Sequence, residues 1–177
     1  ELKADGTDEF KFVPLVDLEA DTEIFFTDNG VFASGLGSNE GTIKYTAPSG
    51  GVDKGTLVAF SGVSGDFESS GGSFILSVSG DQVIAYQGSS GSPTTYIFAV
   101  QSNSSIWQTS ANVNTDSNRS MLPSGLTNDV TAVAAGAGTG TESEYDNVYF
   151  NGASTGKTHT QISVLVGDSS NWAGNNS

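Results

Sequence analysis

Acidic side chains are the residues of this sequence that are best suited to metal binding or catalysis. Its 177 residues include 20 Asp and Glu, 6 Lys and Arg, a single His and no Cys. The absence of Cys excludes disulfides, thiolate nucleophiles and cysteine-based metal sites. Carboxylates, amides and main-chain carbonyls are the ligands that Ca²⁺ prefers, and loops can supply them. The composition therefore favours calcium over zinc or iron–sulfur chemistry.

Nine acidic residues, most of them in short clusters beside glycine or asparagine, are the candidate metal ligands. They are Asp5, Asp8, Glu9, Asp28, Glu40, Asp81, Glu142, Glu144 and Asp146. None of the clusters has the spacing of an EF-hand loop. A net charge of −14 is self-repelling unless cations or salt relieve it, so we expect at least one cluster to bind calcium. The alternative for each cluster is a solvated acidic surface.

The sequence predicts no catalytic residues. His159 is the only histidine, and a Ser-His-Asp triad would depend on it. The sequence has no G-x-S-x-G elbow, no H-E-x-x-H motif and no phosphate-binding glycine motif. Paired carboxylates of the kind that hydrolyse glycosides are the enzymatic alternative, and nothing in the spacing selects one pair.

Trp107 is the candidate ligand-binding residue. An exposed aromatic ring beside polar groups can stack on a sugar, and Trp107 is followed by Gln108 in a Ser-rich stretch. Tyr45, Tyr86 and Tyr96 are weaker candidates of the same kind. Packing in the hydrophobic core is the alternative interpretation for all four rings.

The hydrophobic pattern that must position these residues is that of short β-strands. Apolar and polar residues alternate in segments rich in β-branched and aromatic types, and clusters of Gly, Ser, Asn and Asp separate them. About nine strands result. They include the segment around Phe10 and Phe12, together with residues 22–27, 42–46, 56–60, 73–78, 82–86, 96–101, 130–134 and 145–150.

One segment near the end of the chain has helical spacing instead. Thr158 and Gln161 form a capping-box pair, Leu165 lies on the apolar side, and Gly167 can end the helix. We expect this helix to cover one end of the strands, and we expect Trp172 to pack into the same core. The predicted fold is all-β, a β-sandwich or jelly roll with one short C-terminal helix, in a single domain over residues 1–177.

Charge and hydropathy exclude two classes of partner. With a sequence pI near 4.1, the chain repels the phosphate backbone of nucleic acids. No apolar run approaches the ~18 residues that a membrane span needs. An acidic, lysine-poor and cysteine-free composition rich in Gly, Ser, Thr and Asn is common in secreted and surface proteins, so we expect an extracellular or cell-surface location.

Seven short segments, in this order and spacing, resemble an uncharacterised module of large secreted and surface-anchored bacterial proteins, where it often lies near sorting-signal, nuclease or lamin-tail-like domains. The segments are F-V-P-L-V-D-L (12–18), T-E-I-F-F-T-D-N-G (22–30), E-G-T (40–42), S-G-D-Q-V-I-A-Y-Q-G (79–88), L-P-S-G-L-T (122–127), D-N-V-Y-F-N-G (146–152) and N-W (171–172). The resemblance implies a location outside the cell and a β-rich fold, with no catalytic set. It also implies that Asp28, Glu40 and Asp81 are recurrent positions, either cation ligands or turn formers.

Two functions of different classes follow from the sequence. The first is a non-enzymatic structural or adhesive surface protein, supported by calcium, whose partner is itself through filaments built by strand addition. The second is a carbohydrate-binding module that recognises surface glycans through Trp107. A secreted glycoside hydrolase is the third and weakest hypothesis.

Overall fold

The computed structural model describes residues 1–109, 118–139 and 143–176. Within these residues the chain is mostly β-strand, with one α-helix and one short 3₁₀ helix near the C-terminus. The elements are β1 (Leu2–Lys3), β2 (Glu9–Phe12), β3 (Glu23–Thr27), β4 (Val31–Phe32), β5 (Gly35–Leu36), β6 (Thr42–Thr46), β7 (Val58–Phe60), β8 (Phe67–Gly71), β9 (Gln82–Ser89), β10 (Ser92–Gln101), β11 (Ala132–Ala134), β12 (Asn147–Phe150), α1 (His159–Gly167), the 3₁₀ helix Ser169–Asn171 and β13 (Trp172–Asn175).

Two large sheets form the sandwich. The five-stranded sheet has the order β13-β12-β1-β2-β7, and the six-stranded sheet has the order β11-β10-β9-β3-β6-β8. Pairing is antiparallel except between β10 and β11, which are parallel. Strands β4 and β5 form a separate small hairpin. Both terminal strands pair within their own chain, and β1 lies between β12 and β2.

Aromatic rings fill the space between the two sheets. The Phe10 ring of β2 lies 4.7 Å from the Phe26 ring of β3, and the Phe60 ring of β7 lies 5.3 Å from the Phe67 ring of β8. Large rings bury much apolar area each, so a chain with few hydrophobic residues can still build a core from them. These contacts also set β7 opposite β8 at the same side of the sandwich.

The outer face of the six-stranded sheet carries a second apolar cluster. Side chains alternate between faces along a strand, so Val83 faces the main core while Ile84 faces outward. Residues of the β4–β5 hairpin and of the segment 121–126 cover this outward face. The amide of Met121 donates to the carbonyl of Val31 at 2.8 Å, which attaches the segment to the hairpin.

The predicted C-terminal helix is confirmed as α1. Thr158 is its N-cap, and the reciprocal capping box with Gln161 is present. The indole Nε1 of Trp172 donates to the carbonyl of Val166 at 2.8 Å, and its ring packs against the main core. Trp172 therefore ties the end of the helix to the sandwich. In the described part of the chain, no helix has the length and apolar content to cross a membrane.

The all-β, sandwich-like fold is confirmed, but the strand boundaries differ from the prediction. The described residues contain thirteen strands rather than about nine, because several are only two or three residues long and carry too little alternation to recognise. The prediction of a strand at 73–78 was wrong, since the structure assigns no strand there. Strand β8 lies between two of the predicted strands, in a stretch rich in Gly and Ser where the sequence pattern predicts none.

Candidate functional site

Four of the nine acidic candidates meet at one end of the sandwich, and we call them the carboxylate cluster. Asp8 lies just before β2, Asp28 just after β3, Glu40 just before β6 and Asp81 just before β9. Asp28 and Asp81 are fully buried at 0% exposure. Asp81 feels the charges of both Glu40 and Asp28, and Asp28 feels that of Asp8. Strand pairing thus brings together residues that are far apart in the sequence.

The segment 75–77 organises three of these carboxylates through its main chain. The amide of Ile75 donates to Asp28 at 2.8 Å, that of Leu76 donates to Asp8 at 3.2 Å, and that of Ser77 donates to Asp81 at 2.8 Å. Three consecutive amides therefore have three different carboxylate acceptors. A buried amide needs an acceptor, and here side chains provide what a neighbouring strand would otherwise supply.

The motif Thr27-Asp28-Asn29 binds the main chain of residues 40 and 41. The second oxygen of Asp28 accepts the amide of Gly41 at 2.7 Å, and the Thr27 hydroxyl donates to the Gly41 carbonyl at 2.6 Å. Asn29 Oδ1 accepts the amide of Glu40 at 3.0 Å. Gly41 packs so closely on the main chain of Ser73 and Phe74 that a Cβ there would clash with both. Asp28 consequently joins three separate segments of the chain.

Asp81 has a similar role at the start of β9. Its Oδ1 accepts the Gln82 amide at 2.8 Å, and its own amide donates to the Ser102 hydroxyl at 3.1 Å. The Gln82 side-chain amide donates to the main-chain carbonyl of Asp28. These bonds connect the Asp81 turn to both β10 and the Asp28 turn.

Burial raises the pKa values of these acids. Desolvation raises the pKa of Asp28 from 3.8 to about 6, although the amides of Ile75 and Gly41 act in the opposite direction. Desolvation also raises the pKa of Asp81 well above its usual range, and the neighbouring charge of Glu40 adds to the effect. The pKa of Asp8 is raised by desolvation as well. The cluster is therefore a place where negative charge is costly at neutral pH.

The geometry of the cluster fits main-chain support better than catalysis. A general acid or nucleophile must face space where a substrate can sit. Asp28 and Asp81 face amides instead, and each uses both carboxylate oxygens to accept them. Among the described residues, no three or more Asp, Glu or His side chains are arranged to hold a metal ion. The calcium site stays a prediction.

Two further candidates, Asp5 and Asp146, lie close together where β1 meets β12. Asn147 connects them, because its Oδ1 accepts the Asp5 amide and its Nδ2 donates to Asp5 Oδ2, both at 3.2 Å. The carbonyl of Asp146 accepts the Ala4 amide at 3.1 Å. The structure thus places Asp5, of the first acidic cluster, near Asp146, of the last.

The remaining acidic candidates and the histidine lie elsewhere. Glu9 forms an ion pair with Lys3 at 3.6 Å. Glu144 lies beside Gly80, whose φ of +82° and close neighbours leave no room for a side chain. Glu142 is outside the described residues. His159 begins α1, and its imidazole lies against Gly55.

Trp107 is half-buried in the second apolar cluster. Its ring packs against the outer face of the six-stranded sheet, and its Nε1 donates to Asn128 Oδ1 at 2.9 Å. Tyr45 and Tyr86 are fully buried, with 1% and 0% exposure, and the Tyr96 ring is half-buried. Stacking on a sugar needs one accessible ring face, and the half-buried indole of Trp107 offers a sugar only its exposed part.

A second surface feature is a groove at the side of the sandwich where β7 faces β8, which we call the edge groove. It encloses about 600 Å³ and is lined by residues between Tyr45 and Phe67. Both flanking strands are the last of their sheets. The sequence pattern did not reveal it, because the groove depends on which strands are left at the edges. Leu57, which is 63% exposed, is one of the apolar side chains that line the groove.

Comparison of the chain with protein-family models, with curated proteins and with solved structures finds no match. The features that bear on function are therefore the carboxylate cluster, the edge groove and the sequence pattern.

Proposed function

We propose that this chain is a non-enzymatic structural or adhesive module of the extracellular surface that works by contact with a partner. The observation that carries the proposal is the edge groove, which lies between two terminal strands of a sandwich. A sheet edge next to a groove suits binding of an extended chain, since main-chain groups supply affinity and the groove supplies specificity.

The organisation of the acids supports a non-enzymatic role. The buried carboxylates of Asp28 and Asp81 hold main-chain amides at 2.7–2.8 Å. Such groups stabilise turns and have no free direction toward a substrate. Location outside the cell is supported by the acidic, cysteine-free composition and by the resemblance to modules of secreted bacterial proteins.

Self-assembly into filaments is one form that this contact role can take. It would not use the terminal strands as donors without first releasing them, because β1 and β13 already pair within the chain. Two copies with a net charge of −14 also repel each other. Calcium would have its clearest role here, by reducing that repulsion.

The test combines sedimentation velocity and negative-stain microscopy of the purified chain, with EDTA or with Ca²⁺ at matched ionic strength. Association that increases with Ca²⁺ supports the self-assembling form. A polysaccharide-hydrolysis screen run in parallel addresses the enzymatic alternative. Turnover of any polysaccharide that is lost in Asp28→Asn or Asp81→Asn, with the fold retained, would overturn the proposal.

Glycan binding is the second candidate, and the exposed part of Trp107 beside Asn128 is the observation that favours it. A glycan array probed with the wild-type chain and with Trp107→Phe would test it. Phenylalanine keeps the ring in the cluster but loses the indole N–H. Binding that weakens in Trp107→Phe and not in Trp172→Phe supports a glycan site at this position.

A further inference from the structure

The main chain of β7 points at the edge groove. Ala59 pairs with Lys11 of β2. The amide of Lys11 donates to the carbonyl of Glu1 at 3.0 Å, and its carbonyl accepts the terminal amine of Glu1, so both groups face away from β7. Residues opposite each other in an antiparallel pair either exchange both hydrogen bonds or neither. The N–H and C=O of Ala59 therefore point to the open side of the sheet.

Strand β7 is short, with three residues, but it carries no charged residue, proline or bulge that would protect this edge against strand pairing. Natural edge strands usually carry a charged residue, a proline or a bulge that discourages another chain. The sequence of β7 is Val58-Ala59-Phe60, with Leu57 before it and Ser61 after it. Leu57 is 63% exposed and lines the groove. An apolar edge without charge, proline or bulge is suited to accept a strand.

The charge of the edge groove selects the kind of strand. Asp53 and Asp66 line it, and none of the described lining residues is Lys or Arg. The pKa of Tyr45 is raised by burial and further by the charge of Asp66, so that carboxylate lies close to the floor of the groove. Apolar contacts are available from Val52, Val58 and Phe67. The groove therefore fits a chain with both basic and apolar side chains.

We propose that the edge groove binds an extended segment of another protein, with alternating basic and apolar residues, as an added strand beside β7. This inference rests on the proposed contact function and names its partner. A second copy of the chain fits less well, because its net charge is −14 and its terminal strands are already paired. The volume of about 600 Å³ lies within the range of ligand-binding clefts.

The probe is a short fluorescein-labelled peptide of alternating valine and lysine, with binding measured by fluorescence anisotropy. We expect saturable binding that weakens as salt is added, because opposite charges are screened. A valine–glutamate peptide should not bind, and a valine–lysine peptide with N-methylated alternate amides should bind at least about tenfold more weakly, since it cannot complete the ladder.

Variants of the chain separate the main-chain contribution from the charge contribution. Ala59→Pro removes the outward N–H without removing a bond to β2, and should weaken binding about tenfold, whereas Ala59→Thr should change it little. Asp53→Asn combined with Asp66→Asn should weaken binding and reduce its salt dependence. Asp129→Asn, at the opposite edge near β11, is the matched control and should leave binding unchanged.

Three results would overturn the inference. One is equal binding of the lysine and glutamate peptides, and another is unchanged binding to a folded Ala59→Pro chain. If Ala59→Pro does not fold, the double variant Asp53→Asn with Asp66→Asn takes its place. Unchanged peptide binding to that double variant would then overturn the inference. The third is self-association that Ala59→Pro abolishes while the peptide does not bind, which would make a second copy the occupant and leave the contact function standing.

Discussion

The carboxylate of Asp28 accepts the main-chain amide of Ile75 at 2.8 Å, across 47 positions of sequence. Two neighbouring amides, of Leu76 and Ser77, donate to Asp8 and Asp81 in the same way. A segment without a strand partner is thus held by acidic side chains from three other segments. This arrangement requires charge to be buried, and it makes stability sensitive to pH.

We predict that the chain is more stable at mildly acidic pH than at neutral pH. The folded pKa of Asp28 is raised from 3.8 to about 6, so its protonated form favours the folded state. This contribution to stability is complete below pH 3.8, the usual pKa of the group, and it is lost as the pH rises through about 6, the pKa in the folded state. The loss between pH 4 and pH 7 corresponds to about 2 kcal/mol for Asp28, because at pH 4 the stabilisation is already below its full value. Asp81 contributes with the same sign.

Urea denaturation at a series of pH values between these limits measures the effect. In Asp28→Asn the free energy of unfolding should depend less on pH over this range. Glu19→Gln, a change in an exposed loop, should retain the wild-type slope. A free energy of unfolding that rises with pH in the wild-type chain would contradict the assignment of Asp28 as a buried acid with a raised pKa.

Gly41→Ala should destabilise the chain by about 1–3 kcal/mol, the usual cost of overpacking. Its Cβ would clash with the main chain of Ser73 and Phe74, which cannot move without disturbing the amides that follow. Gly50→Ala is the control, because a Cβ at that exposed position meets nothing within 4 Å. Thermal denaturation followed by circular dichroism compares the two, and equal melting temperatures would show that residues 73–74 adapt freely.

Thr158→Ala should cost about 1 kcal/mol by removing the N-cap of α1. The Thr158 hydroxyl accepts the Gln161 amide at 3.3 Å, and the substitution leaves that amide without its cap. Thr158→Ser should restore most of the stability, and Thr160→Ala should be close to neutral. Because Trp172 contacts α1, its fluorescence reports the local unfolding. If Thr158→Ala changes neither the free energy of unfolding nor the Trp172 fluorescence, the cap does not stabilise the helix.

Calcium should raise the melting temperature of EDTA-treated protein in low-salt buffer. The physical reason is the net charge of −14, which a divalent cation relieves more effectively than a monovalent one at equal ionic strength. Differential scanning fluorimetry with CaCl₂ or with NaCl matched in ionic strength measures the difference. If Ca²⁺ gives no increase beyond that of NaCl, calcium is not a cofactor of this chain.

Trp107→Ala should lower the free energy of unfolding, whereas Trp107→Phe should have a smaller effect. Alanine removes the ring from the second apolar cluster and leaves a cavity, while phenylalanine mainly loses the bond to Asn128. Urea denaturation of both variants, at one pH, gives the comparison. Equal stability of Trp107→Ala and the wild type would indicate that the ring is free for a ligand.

Several elements were predictable because their signals are local. The alternation of residues 42–46 coincides with β6, and the spacing from Thr158 to Gly167 coincides with α1 and its cap. Residues 73–78 are the exception. Their alternation is real, since Phe74 and Leu76 pack in the core, but a strand also needs a hydrogen-bonded neighbour. Here carboxylates accept the hydrogen bonds that a neighbouring strand would otherwise accept, and no local sequence pattern indicates this arrangement.

The sequence by itself determined the all-β class, the position of the helix, the excess of negative charge and the exclusion of thiol chemistry, because each depends on residue type or short-range spacing. Only the tertiary structure decided which acids meet, which rings are covered and which strands remain at the edges. Asp8 and Leu76 are 68 positions apart, and β7 is an edge because β2 is the only described strand that pairs with it. Long-range pairing sets such relationships through the packing of the whole chain, so they are fixed only when the two sheets close on their core.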